Sequence, residues 1–379
     1  MPSPMGNLLS QNRIILCCGS GGAGKTTTSA AIAIRGALEG RKTIVLTIDP
    51  AKRLANSLGL ESLGNERQKI DLSSLGTPKG ELWAMMLDTK RTFDELISQY
   101  APNKESERRI LENNIYIHLS STLAGSQEYM AMEKLYEIYQ EEQFDLIVVD
   151  TPPTRHALDF LEAPKRMTDF LDESVFKWFL MPPTTIGAWG LKIFSRGGAL
   201  VMKAAERLTG IEPLQDLSEF LQNFQEMYVG FKNRAEEVSR FLRKPQTVFL
   251  LVTVPSKAAL GEARFFYRKL QEGKMPFGGF IVNRVNPTFH SPGVDHETLQ
   301  MLVKGTSPIS TDAPLLQKFA KVLDQFRSLG EEDRYQIQQL IEQFEKPPLL
   351  RLIPYFSDDV HDLKGLEQIN TYLFEKDLT

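Results

Sequence analysis

Residues 19–26 read Gly-Ser-Gly-Gly-Ala-Gly-Lys-Thr and satisfy the phosphate-loop pattern G-x-x-x-x-G-K-[ST]. Each residue type in it has a chemical task. Glycines let successive backbone N–H groups turn inward on a polyphosphate. The start of the following helix adds partial positive charge. Lys25 reaches the β- and γ-phosphates, and the Thr26 hydroxyl is a hard oxygen ligand for Mg²⁺. Gly21, Gly22, Ala23, Gly24, Lys25, Thr26 and Thr27 are therefore the candidate contacts to ATP. Context separates a working loop from a chance match. Arg13–Cys18 before it reads as a buried strand, and Thr26–Leu38 after it reads as a helix stopped at Gly40.

Two carboxylates stand at other strand ends. Asp150 follows the apolar run Leu146–Val149, the position of an acid that holds Mg²⁺ through a bound water, or of a turn aspartate that caps a helix. Asp49 follows Thr43–Ile48 and is the candidate for orienting the attacking water; its other reading is a turn residue before Pro50. Asn283 follows the strand ending at Val282. Its amide offers the donor and acceptor that an adenine edge needs, or it is a loop asparagine. Pro354-Tyr355-Phe356 follows the last strand, with an aromatic placed either against a base or in the core. His156 has no Ser or Cys partner at recognisable spacing, so it reads as a hydrogen-bonding or switch-loop residue.

The elements that must position these groups are short aliphatic runs alternating with helical stretches: Ile14–Cys18, Thr43–Ile48, Leu82–Leu87, Leu146–Val149, Val248–Val254, Phe280–Val282 and Leu349–Ile353. Nearly continuous apolar strands separated by helices predict an α/β fold, a doubly wound, mostly parallel sheet with ligands at the carboxyl ends of its strands. Two stretches lack strand signals, about 90–140 and 164–245. The second is dense in Phe, Trp, Met and Leu and is broken by Pro182-Pro183 and Gly197-Gly198. Both are expected to be helical insertions in a single ATPase domain spanning 1–379.

Composition excludes several classes. The net charge of −4 gives no general positive field for nucleic acid. Cys17 and Cys18 are the only cysteines, too few for a disulfide framework, and as strand neighbours they point to opposite faces and are poorly placed to ligate one metal together. No apolar run reaches the length of a membrane span, and the N-terminus has no signal-peptide pattern. A cytoplasmic protein without stable membrane insertion is expected.

At these residues the chain resembles the ArsA-like ATPases, the arsenite-pump and tail-anchored-protein-targeting family, relatives of MinD and ParA. The matching pieces are Gly19–Thr27, Asp49-Pro50-Ala51 with Lys52–Leu58, Asp150–His156, Asn283 and Pro354–Phe356, in family order over nearly the whole chain. Asp-Thr-Pro-Pro-Thr-Arg-His at 150–156 is similar to the family's switch II signature Asp-Thr-Ala-Pro-Thr-Gly-His. The resemblance implies MgATP hydrolysis between two protomers, Asp49 on switch I, Thr154 and His156 on switch II, and a helical subdomain that moves with nucleotide state.

Three departures bear on function. The family lysine at the second loop position is Ser20 here, which puts transactivation within a homodimer in doubt and admits a paralogous partner. No cysteine lies outside the strand before the loop, which argues against a thiolate metalloid site. The zinc-binding Cys-x-x-Cys of the eukaryotic targeting factors is absent. The expectation is a dimeric switch ATPase that binds or targets a hydrophobic client. The alternative is the energising subunit of an anion or metalloid efflux system. A MinD- or ParA-type positioning ATPase needs a basic membrane tail, and Leu363–Leu378 is mixed in charge. A small-molecule kinase or ligase is the remaining option on the same fold.

Overall fold

The computed structural model describes residues 3–48, 53–114, 116–117, 120, 126–151, 163, 220, 224, 227–287, 313–344 and 348–376. In chain order its elements are α1 (Pro4–Gln11), β1 (Ile14–Cys18), α2 (Lys25–Leu38), β2 (Lys42–Thr47), α3 (Arg53–Ser57), β3 (Gln68–Ile70), β4 (Glu81–Met86), α4 (Thr89–Tyr100), α5 (Lys104–Leu111), α6 (Ser126–Gln140), β5 (Leu146–Asp150), α7 (Tyr228–Phe241), β6 (Thr247–Thr253), α8 (Lys257–Glu272), β7 (Phe277–Val285), α9 (Ala313–Ile341), β8 (Leu350–Pro354) and α10 (Leu363–Asn370).

The strands form one sheet in the order β3-β4-β2-β5-β1-β6-β7-β8, every pair parallel except β3 with β4. β1 is central. Ile14 pairs with Ile147 of β5 on one side and with Thr247 of β6 on the other. Alternation along the strands splits the core in two. Ile14, Leu16 and Cys18 face a layer carrying Leu96, Leu135, Phe241 and Leu260. Ile15 and Cys17 face the opposite layer, with Ala30, Ile34, Met5 and Leu366. Both faces are covered, which is why the strands are apolar throughout instead of alternating.

α10 settles the reading of the C-terminal stretch. Its Leu366 and Ile369, with Leu373 and Phe374 beyond, are buried in the same cluster as α2. Each such side chain contributes about 1.5–3 kcal/mol by leaving water. The apolar face is thus consumed by the core. Among the described residues no helix is long and apolar enough to cross a membrane.

Between β4 and β5 the described chain carries α4, α5 and α6. Of the 164–245 stretch, only Phe220, Phe224 and 227–245 are described, and these include α7; the Trp- and Met-rich part lies outside the described residues. α6 and α7 are joined by a buried ion pair. Arg234 Nε lies 2.5 Å from Glu133 Oε1, with both side chains under a tenth exposed. Tyr129 donates its hydroxyl to Glu133 Oε2 at 3.3 Å, and Arg234 lies over the Tyr136 ring, 4.4 Å from its centroid. Breaking one half of such a pair strands the other charge. Arg234→Met or Glu133→Leu alone should cost about 3–5 kcal/mol in urea unfolding, while the double substitution should cost less than the sum of the two. Additive losses would show that the pair does not couple the helices.

Candidate nucleotide site

β1 delivers the chain to the phosphate loop at the middle of the sheet. The loop is folded tightly against its neighbours. A Cβ on Gly19 would meet the Val252 carbonyl oxygen at 1.9 Å, and one on Gly24 would meet Asn283 Nδ2 at 2.1 Å. Gly24 is also left-handed, with φ +95°, and stands at the N-cap of α2. α4, α5, α8 and α10 begin with a side-chain oxygen from Asp88, Asn103, Ser256 and Asp362 accepting a backbone N–H. At α2 the capping residue has no side chain, so the first N–H groups of this helix face the loop without a competing side-chain oxygen.

The expected chemistry-bearing residues converge here. Lys25 is buried and its Nζ donates to the Ser20 carbonyl at 2.9 Å, folding back over the loop. Thr26 Oγ1 donates to Asp150 Oδ2 at 2.8 Å. Asp150 closes β5 and is fully buried. The Thr47 hydroxyl donates to the same carboxylate oxygen at 2.9 Å. Thr47 was not anticipated as a site residue. The signal for it was positional: it ends β2 and lies directly opposite Asp150 in the β2–β5 register. Thr151 donates its hydroxyl to the Cys17 carbonyl at 2.9 Å and fixes the exit from β5.

Asn283 lies against the loop. Its Nδ2 donates to the Ala23 carbonyl at 3.0 Å, and its Oδ1 accepts from the Arg284 N–H at 2.9 Å. At the end of β8, the Phe356 ring packs edge-on against Tyr372, with centroids 5.9 Å apart, and joins the second core cluster; Tyr355 is exposed. Asp49, Thr154 and His156 lie outside the described residues.

The donor set fits a magnesium nucleotide. A hydroxyl and a carboxylate 2.8 Å apart, beside glycine-loop amides and one ammonium, are hard oxygen ligands next to an anion cradle. No group of three or more His, Cys, Asp or Glu side chains that could hold a metal occurs among the described residues. The two thiols offer no alternative metal site. Both are buried, and burial pushes Cys17 well above the ordinary thiol range and Cys18 up to about 12.

The sequence profile of the anion-transporting ATPases matches residues 12–292, which takes in the loop, the strand-end carboxylates and Asn283. The chain belongs to this family. It is an ATP hydrolase of the ArsA type. Among similar proteins, the putative arsenical pump-driving ATPase 2 of Aquifex aeolicus (strain VF5) is 24% identical over 283 residues, covering 73% of this chain and 81% of its own. The ATPase GET3 of Podospora anserina is 24% identical over 285 residues, 75% of this chain and 76% of its own. The ATPase GET3 of Malassezia globosa is 29% identical over a shorter 175 residues, 45% of this chain and 49% of its own.

Burial of Cys17 and Cys18 beneath the loop predicts that neither reacts with a thiol-specific reagent in the folded protein, and that both react on unfolding. Labelling of the native chain within minutes, followed by a colorimetric thiol assay, would contradict this packing of β1.

Proposed function

We propose that this ATPase works as a nucleotide-driven switch: MgATP binds at the phosphate loop, hydrolysis is assisted by Asp49, and the helical insertions respond by binding and releasing a hydrophobic client. The observation that carries the reading is the meeting of Thr26, Thr47 and Asp150 at a single carboxylate oxygen beside the loop. In this reading the Thr26 hydroxyl and Asp150, the latter through a water, hold Mg²⁺. The ion supplies neutralisation of the charge that develops between the phosphates. Lys25 moves its ammonium from the Ser20 carbonyl to the β- and γ-phosphates, a short displacement within the same loop. Asp49, two residues after Thr47 in the sequence, orients the attacking water. The adenine lies toward the ends of β7 and β8, near Pro354, Tyr355 and Phe356.

The resemblance to dimer-activated ATPases supports a second protomer across the nucleotide, either the same chain or a paralog that supplies the cation Ser20 does not. Thr154 and His156, two and four residues after Thr151-Pro152, are placed on the segment that would transmit the nucleotide state from Asp150. The apolar residues of 164–245 supply the client-binding chemistry.

The efflux reading has the name of the Aquifex aeolicus relative behind it, but the only thiols of this chain are buried under the loop and unsuited to a soft metalloid. The two readings separate by experiment. Arsenite or antimonite should leave MgATP turnover unchanged, whereas a hydrophobic transmembrane-type peptide should be kept soluble by the ATP-bound protein and released after hydrolysis. Metalloid-stimulated turnover without peptide binding would favour the pump.

Two substitutions test the site. Lys25→Ala should abolish MgATP hydrolysis, because the polyphosphate loses its main cation; wild-type turnover by this variant would remove the site. Asp49→Asn should bind MgATP nearly as well as the parent while turnover falls by about a hundredfold or more, the scale of a positioned base. Calorimetry and phosphate release together would reveal the opposite pattern, lost binding with normal residual turnover, and so dismiss this role for Asp49.

A further inference from the structure

The Asn283 side chain has a specific task that follows from the backbone around it. β7 and β8 are in register at Val282 opposite Leu352 and again at Val285 opposite Pro354. Asn283 and Arg284 therefore face the single residue Ile353, a bulge with one extra residue on β7. Bulges re-aim a side chain and cluster beside functional sites. This one carries strain: Arg284 adopts φ +61°, left-handed for a residue with a Cβ. It is also held on both sides. Beyond it, Tyr355 N–H donates to the Val285 carbonyl at 2.9 Å. On α9, the buried Asp333 accepts from both the backbone N–H and the side-chain amide of Asn286, at 2.8 and 2.9 Å.

The bulge turns Asn283 into the phosphate loop, where Nδ2 donates to the Ala23 carbonyl at 3.0 Å. The Arg284 N–H on Oδ1 sets the amide so that its NH₂ end, not its oxygen, meets that carbonyl. No peptide bond among the described residues is cis. In a trans peptide the C=O and the following N–H point in opposite directions. Pinning the Ala23 oxygen toward β7 therefore aims the Gly24 N–H the other way, into the cradle. Without a brace, this peptide plane is free to turn over, because the residue after it is a glycine, for which both values of φ are accessible. A flipped plane would present a carbonyl oxygen to the phosphates.

We infer that Asn283 is a positioning residue that locks the Ala23–Gly24 peptide in the anion-binding orientation, so that its contribution is to phosphate affinity and not to recognition of the base. The inference rests on the nucleotide site proposed above and deepens it.

The test is affinity for three ligands measured by calorimetry: MgATP, MgGTP and magnesium tripolyphosphate, which has no base at all. Asn283→Ala should weaken all three by the same factor, about three- to tenfold, the scale of one net hydrogen bond. A loss confined to MgATP, or an unchanged affinity for tripolyphosphate, would overturn the inference in favour of base reading. Asn283→Asp gives an independent readout if the alanine variant folds poorly. Its carboxylate repels the Ala23 carbonyl near neutral pH, while its protonated form can donate to that oxygen. Affinity relative to the parent at the same pH should therefore recover as the pH falls through the carboxyl titration. A flat ratio would count against a donor role. If the parent chain itself binds tripolyphosphate and ATP at no concentration, the nucleotide site falls, and this inference with it.

Discussion

One carboxylate oxygen ties three separate parts of the chain together. Asp150 Oδ2 accepts from Thr26 at the start of α2 and from Thr47 at the end of β2, while Asp150 itself closes β5. A fully buried carboxylate is costly unless its oxygens are hydrogen-bonded, so the two hydroxyls are as much a condition of the fold as a feature of the site. They also fix the spacing between the start of α2 and the end of β2. The start of α2, the end of β2 and the end of β5 are consequently held together by the same short contacts. Any change at this oxygen is felt at all three.

The two faces of the sheet carry two different cores. On one face, α1, α2 and α10 pack as a compact layer of small and aliphatic side chains beneath the loop. On the other face lie α4 to α8, with the aromatic cluster of Tyr100, Phe224 and Phe231 and the Glu133–Arg234 pair. The phosphate-binding helix and the helical additions thus occupy opposite sides of the sheet.

Much of this was legible from residue types. Among the described residues, seven of the eight strands were visible as aliphatic runs, because a parallel sheet covered on both faces leaves little room for polar residues. β3 was not, since Gln68-Lys69-Ile70 is an edge strand of three residues whose antiparallel pairing with β4 needs neither length nor an apolar run. Lys25, Thr26 and Asp150 were read from motif and strand-end position, and the fold brings Thr26 and Asp150 into hydrogen-bond contact. Thr47 was missed because a lone threonine at a strand end has no signature until the β2–β5 register places it opposite Asp150. Asn283 was read from its strand-end position, but its hydrogen bond to Ala23 depends on a bulge, and an extra residue in one strand is a relation between two strands that neither one displays alone. Asp49, Thr154 and His156 were read from position and resemblance, and the described structure neither moves nor supports them.

The packing of α10 on α2 has a temporal consequence. Arg35 of α2 pairs with Glu375 at 2.9 Å and lies over the Phe374 ring, so the helix that begins at residue 25 is seated by residues near 375. Its strand β1 sits between β5 and β6, which arrive well over a hundred residues later. During synthesis, Arg35 of α2 therefore emerges 340 residues before the Glu375 that pairs with it. Until that later segment is made, α2 is without the Leu366, Ile369, Leu373 and Phe374 side chains that share its buried cluster in the folded protein.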